Sequence, residues 1–242
     1  MATPRIYFPQ DLTIEQTVTL PPDAAHHLLT VLRIKGGESV LLFNNEAEFL
    51  AAIEVTGKKS ATLTIIEKTA NQPESALPLN LSVCLYRGKQ LDISIQKAVE
   101  LGVHQITPII SHKSDVIQNK TAAEKRQKHL QKIIIAACEQ SGRIRPPKLN
   151  AEIHLQTWME QAASNMAIAC DFSKMTLDWK SRPDDGKTIS LLICPAGGFT
   201  AEESHSFTAA NIPNLNLGPR ILRSDTATTI ALGLLQHHWG DL

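Results

Sequence analysis

A small β-rich unit followed by an α/β domain is the fold class that the sequence predicts, and three observations carry it. Up to about residue 70, short apolar runs recur between turn signals such as Gly36-Gly37 and Gly57. After that point, apolar runs alternate with helical patterns, the signature of an α/β sheet. Between the two lies TANQPESALP, residues 69–78, rich in Pro and small polar residues and read as a linker. The division is 1–72 for the first domain and 73–242 for the second.

In the first domain, strands are expected at Thr17–Leu20, Ser39–Phe43, Phe49–Val55 and Ala61–Ile66. The stretch AAHHLLTVLRI predicts a short helix with Leu28, Val31 and Leu32 on one side. Strand spacing of this kind suits a small barrel or a strongly bent sheet. In the second domain, Leu79–Tyr86 reads as a strand. A helix follows whose face carries Leu91, Ile95, Ala98 and Val99, closed by Gly102. Ile106–Ile110 is the next strand, and Thr121 with Glu124 opens a helix running to Gly142. Met166–Cys170, Ile189–Cys194 and Leu215–Leu217 are three more strands, and a last helix spans Thr226–Trp239 with Ile230, Leu234 and Leu235 as its inner face.

Composition narrows the function classes. Of 242 residues, 43% are hydrophobic and 20% charged, as in ordinary soluble globular proteins. No apolar stretch is long enough to span a bilayer, and the start MATPRIYFPQD lacks the pattern of a signal peptide. Cys84, Cys138, Cys170 and Cys194 lie far apart with no CxxC pair, which suits free thiols in a reducing cytoplasm. The adjacent pairs His26-His27 and His237-His238 point to different faces of a helix, so no metal is expected. The net charge is zero, yet Ser111–Lys148 holds nine Lys or Arg against three acids, a local +6. Such a window is either a footprint for a nucleic-acid backbone or a solvated helix face.

Two glycine turns follow strands near the C-terminus. In LLICPAGGFTAEE, Pro195 ends a buried strand, Gly197 and Gly198 remove both β-carbons, and Thr200 with Glu203 has capping-box spacing. An ordinary strand-to-helix turn has the same grammar, but a small-molecule site at the carboxyl end of a strand does too. In LNLGPRILRSDTATTIAL, Gly218-Pro219 turns the chain, and Ser224 and Asp225 stand where their oxygens can cap the last helix. Neither GxxxxGK[ST] nor GxGxxG occurs. Two backbone turns side by side, with Leu217, Ile221 and Leu222 as an apolar wall, suit a flat neutral ring such as adenine better than a triphosphate.

Five segments, HHLLTVLRIKGGE (26–38), IQKAVELGVHQITPIIS (95–111), AACEQSGRIRPP (136–147), CPAGGFTAEE (194–203) and LGPRILRSDTA (217–227), together resemble the RsmE family of bacterial 16S rRNA uridine-N3 methyltransferases. The resemblance runs from about Arg5 to the last helix. It implies an N-terminal PUA-like RNA-binding β-barrel and a C-terminal SPOUT domain, an α/β sheet with a trefoil knot. It further implies S-adenosylmethionine as cofactor, a homodimer, and one uridine of 16S rRNA near the decoding region as substrate. The cofactor pocket would then use Pro195, Gly197, Gly198, Leu217, Gly218, Ile221 and Leu222. Arg223 is the expected cation at the reacting uridine, with Asp225 as base or as orienter of Arg223. Arg5, Arg33 and Arg143 are expected RNA contacts.

Two positions depart from the family pattern. The family usually shows GPEGG where this chain has Cys194-Pro195-Ala196-Gly197-Gly198, and ETA where it has Asp225-Thr226-Ala227. Asp225 keeps the carboxylate on a shorter stem, whereas Ala196 removes one.

Overall fold

The computed structural model describes residues 3–57, 60–71, 73–86, 88–162, 166–170, 177–180, 187–195 and 197–242. Two compact units emerge: residues 1–74 with 138–146, and residues 75–137 with 147–242. Against the expected boundary near 73, the first unit thus regains a second, later segment. Its cause is a set of polar contacts that no local pattern announces, described below.

The first unit is built on a five-stranded sheet in the order β1-β3-β4-β5-β2, with β1 at Arg5–Tyr7, β2 at Thr17–Thr19, β3 at Ser39–Phe43, β4 at Glu48–Gly57 and β5 at Ser60–Lys68. The β1–β3 pair is parallel and the others are antiparallel. Alternation sets the inward face: along β5, Ala61, Leu63 and Ile65 are buried while Thr62 and Thr64 turn outward. They join Ile6, Leu28, Val40, Leu42, Ala51 and Ile53 in one core.

The helix expected over AAHHLLTVLRI is instead a short α-helix, α1 (Pro22–His26), continued by a π-helical turn over His27–Val31. The Leu32 N–H reaches back five residues to the His27 carbonyl at 3.0 Å. Widening the helix rotates its later residues away from the 3.6-residue register. Leu28 is therefore fully buried, whereas Val31 and Leu32, expected on the same inner side, are exposed. Arg33 ends the turn in the left-handed conformation, φ 58°, and is exposed.

The second unit is a parallel sheet in the order β10-β11-β6-β7-β8, with β9 also pairing with β7. Its strands are β6 (Leu79–Cys84), β7 (Gln105–Ile110), β8 (Lys148–Leu149), β9 (Ile153–His154), β10 (Met166–Cys170) and β11 (Ile189–Ile193). The helices are α2 (Lys89–Glu100), α3 (Lys120–Ser141), α4 (Leu155–Ala162), α5 (Ala201–Ala209) and α6 (Ser224–Trp239). Every residue of β11 is buried, as a continuous apolar run in an inner parallel strand requires.

Helix boundaries test the sequence grammar. Thr200 caps α5 in a full capping box with Glu203. The box expected at Thr121 and Glu124 gives way to Asn119, whose Oδ1 accepts from the Ala122 N–H at 2.9 Å. The strand expected at Leu215–Leu217 is a single bridge, Asn214 against Ala169. The Leu215 N–H donates to the Ala169 carbonyl at 2.9 Å before Gly218 turns the chain away.

Candidate cofactor and active site

The chain runs outward from β6 to β7 and β8 on one side, then returns on the other side as β10 and β11. The β6/β11 border is therefore a topological switch point, where the connections leave a crevice beyond the carboxyl ends of the strands. A cavity of about 850 Å3 opens there. Tyr86 follows β6, Cys170 ends β10, and Cys194 and Pro195 follow β11, so three strand ends form its floor. Asn214 to Ser224 wrap the remaining wall, and Gln90 enters from the first turn of α2.

Both glycine turns reach this cavity. The Gly198 N–H donates to the Pro195 carbonyl at 2.9 Å, and Gly198 has φ 67°. Gly218 has φ 95°, with its N–H on Asn216 Oδ1 at 2.8 Å. No atom lies within 4 Å of a β-carbon added at either position, so conformation, not crowding, calls for glycine. Pro195, Gly198, Leu217, Gly218, Ile221, Leu222 and Arg223 all line the cavity. Gly197 does not line it; its carbonyl faces Lys113 instead. Ala196 lies outside the described residues.

Arg223 is the N-cap residue of α6 and is exposed at the cavity rim. Asp225 is in the first turn of α6 but outside the cavity lining; its Oδ1 accepts from the Thr226 N–H at 3.0 Å. Asp225 thus satisfies a first-turn N–H as expected, although the N-cap residue itself is Arg223, whose side chain makes no cap. Ser224 is buried and lines the cavity with Tyr86.

Tyr86 is the feature that sequence reading missed. It is 6% exposed, and its hydroxyl bonds with Ser94 of α2 at 3.1 Å. Thr228 closes the cluster, donating to the Ser224 carbonyl at 2.7 Å and to Ser94 Oγ at 3.3 Å. Burial pushes the Tyr86 phenol up, the bonds to Ser224 and Ser94 partly offset it, and Asp225 raises it further. A polar ring just past the carboxyl end of an inner strand was the available signal.

The expected RNA contacts divide. Arg33 is exposed. Arg5 and Arg143 both carry protein partners. Arg143 is 4% exposed and pairs with Glu74 at 2.7 Å, while Glu74 also accepts from the backbone N–H groups of Ile144 and Arg145. Arg5 pairs with Glu48 at 2.7 Å and donates to the carbonyls of Cys138, Glu139, Gly142 and Arg143. These contacts hold segment 138–146 in the first unit. Among the described residues, no group of three or more His, Cys, Asp or Glu is placed to hold a metal ion, and no helix is long and apolar enough to cross a membrane.

Comparison with known proteins agrees with this geometry. A family profile described as an RNA methyltransferase domain matches residues 73–236, and one described as an RNA methyltransferase PUA domain matches residues 20–66. A ribosomal RNA small subunit methyltransferase E of Buchnera aphidicola is 30% identical over 240 residues, 99% of this chain and 98% of its own. The chain belongs to the small-subunit ribosomal RNA methyltransferase E family. A family member from Neisseria gonorrhoeae, solved bound to S-adenosylmethionine, is 32% identical with a TM-score of 0.91 over 99% of both chains. A Legionella pneumophila methyltransferase, solved with bound cofactor SAM, is 34% identical with a TM-score of 0.93 over 100% of both chains. The parallel sheet flanked by helices is thus the SPOUT type, and the first unit is the PUA-like domain of this family.

Proposed function

We propose that this chain methylates N3 of a single uridine in 16S rRNA, using S-adenosylmethionine. The observation that carries the reading is the cavity at the β6/β11 switch point, walled by both glycine turns and rimmed by Arg223. About 850 Å3 lies in the usual range for small-molecule sites. Its mix of apolar side chains and turning backbone fits a nucleoside-bearing cofactor, and two similar proteins bind SAM.

Pro195, Gly198, Leu217, Gly218, Ile221 and Leu222 would hold the cofactor. When bound, it supplies a methyl group already activated by its sulfonium, so the protein's main task is alignment. Arg223 reaches the rim with no side-chain partner among the described residues, and it stabilises the negative charge on the uracil ring as N3 loses its proton. Asp225, in the first turn of α6 two residues after Arg223, serves as the base or orients Arg223. Arg33 contacts the RNA from the PUA-like unit, and the active species is a homodimer in a reducing cytoplasm, which keeps the four cysteines out of disulfides.

Small subunits lacking the modification, incubated with the protein and methyl-labelled S-adenosylmethionine, should take up one methyl each. Arg223→Ala should lower the rate by about a hundredfold while calorimetry shows cofactor binding retained. RNA binding without transfer by the parent protein would favour an assembly factor on the same scaffold.

A further inference from the structure

The Pro195–Phe199 turn is held from outside its own strand. Lys113, in the connection between β7 and α3, donates through its ammonium to the Gly197 carbonyl at 2.8 Å and the Phe199 carbonyl at 3.2 Å. Beside it, Glu203 accepts from the His112 N–H at 2.9 Å with one oxygen and from the Thr200 N–H at 2.8 Å with the other. Lys113 therefore grips the turn at two carbonyls, and the His112 N–H holds the Glu203 carboxylate that caps Thr200 beside it. The stem of Lys113 lies against Gly197: its Cδ would stand 3.3 Å from a β-carbon added there.

The grip has a directional consequence. In a trans peptide the carbonyl and the next N–H point opposite ways. Aiming the Gly197 carbonyl at Lys113 turns the Gly198 N–H the other way, onto the Pro195 carbonyl. That bond closes the turn against the cavity wall, where Pro195 and Gly198 both lie. Two adjacent glycines have many backbone wells open to them, and nothing in their own side chains selects one. The position before them is Ala196, where the family usually places a carboxylate.

We propose that Lys113 is a positioning residue for the cofactor: its two carbonyl contacts fix the Pro195–Phe199 turn in the conformation that binds. The inference rests on reading the cavity as the S-adenosylmethionine site. It also reassigns one charge of the basic 111–148 window from RNA to the turn. A ligand that binds only the fixed turn loses affinity in proportion to the fraction of chains lacking it. If loss of the ammonium leaves about one chain in ten in the competent form, the apparent Kd rises about tenfold.

The test uses the full chain as parent, Lys113→Met, which keeps the stem, and Lys113→Arg, which keeps the charge. Titration calorimetry with S-adenosylmethionine should give Lys113→Met a Kd about tenfold above the parent, with Lys113→Arg recovering most of the loss. Without cofactor, amide exchange in a peptide spanning 195–200 should speed up in Lys113→Met, with Tm within about 2 °C of the parent. Equal Kd values for Lys113→Met and the parent, or unchanged exchange, would overturn the proposal. So would a large drop in Tm with no recovery in Lys113→Arg, which would make the lysine structural only. A parent that binds no cofactor would instead overturn the reading of the cavity, and the positioning role with it.

Discussion

Replacing Arg5 with methionine tests whether this side chain serves the fold or the RNA. The guanidinium is 10% exposed and stands 4.6 Å over the Phe43 ring. It bonds Glu48, itself 4% exposed, and the carbonyls of Cys138 and Glu139 in the last turn of α3, where backbone donors run short. A fixed cation at that end also complements the helix dipole. Methionine fills much of the volume but strands the Glu48 carboxylate, which keeps a bond from Thr69 Oγ1 at 3.0 Å. Removing one partner of a buried ion pair costs about 3–5 kcal/mol, and the lost carbonyl bonds place Arg5→Met toward the upper end. Urea unfolding followed by circular dichroism reads this directly. In parallel, RNA affinity measured against salt concentration should keep the slope of the parent, because the guanidinium is taken up by Glu48 and four backbone carbonyls. A loss below about 1 kcal/mol, or a salt slope reduced by about one unit in a stable variant, would refute the reasoning and return Arg5 to the RNA.

Three further outcomes are expected. Burial raises the Glu139 carboxyl, against the opposing effects of the Tyr7 N–H, His27 and Arg5. Because the folded value is the higher one, its contribution is fully present below the unfolded value and is lost as pH rises through the folded one. Glu139→Gln should therefore be more stable than the parent at pH 7, with the gain vanishing near pH 4 in thermal melts. Tyr86→Phe keeps the ring and removes the bond to Ser94; a loss of about 1 kcal/mol and slower methyl transfer are expected, measured by urea unfolding and initial rates. Burial pushes the Cys138 thiol up to about 12 and raises Cys84 well above the ordinary range, while Cys194 is half-buried in the cavity wall. Iodoacetamide at pH 8 should therefore label Cys194 first, with bound S-adenosylmethionine protecting it, as peptide mass spectrometry can check.

What the sequence made legible was local. The Pro195 stop, the capping box of Thr200 and Glu203, and the left-handed glycines 198 and 218 each follow from a few adjacent residues, and all stand as expected. What it hid was either a change of helical register or a long-range pairing. The π-helical turn over His27–Val31 sends Val31 outward against its apolar character, because one extra residue per turn defeats a 3.6-residue reading. Arg143 meets Glu74 and Lys113 meets Gly197 across 69 and 84 residues of chain, and no pattern in a window records such contacts. The same limit concealed Tyr86, whose importance comes from which strand ends stand beside it.

The central claim is transfer to N3 of one uridine. Its most direct test is nucleoside mass spectrometry of 16S rRNA from small subunits treated with the protein and S-adenosylmethionine. The account predicts 3-methyluridine at a single site near the decoding region, formed about a hundredfold more slowly with Arg223→Ala. Methylation of another base or another atom, or none with cofactor bound, would contradict it.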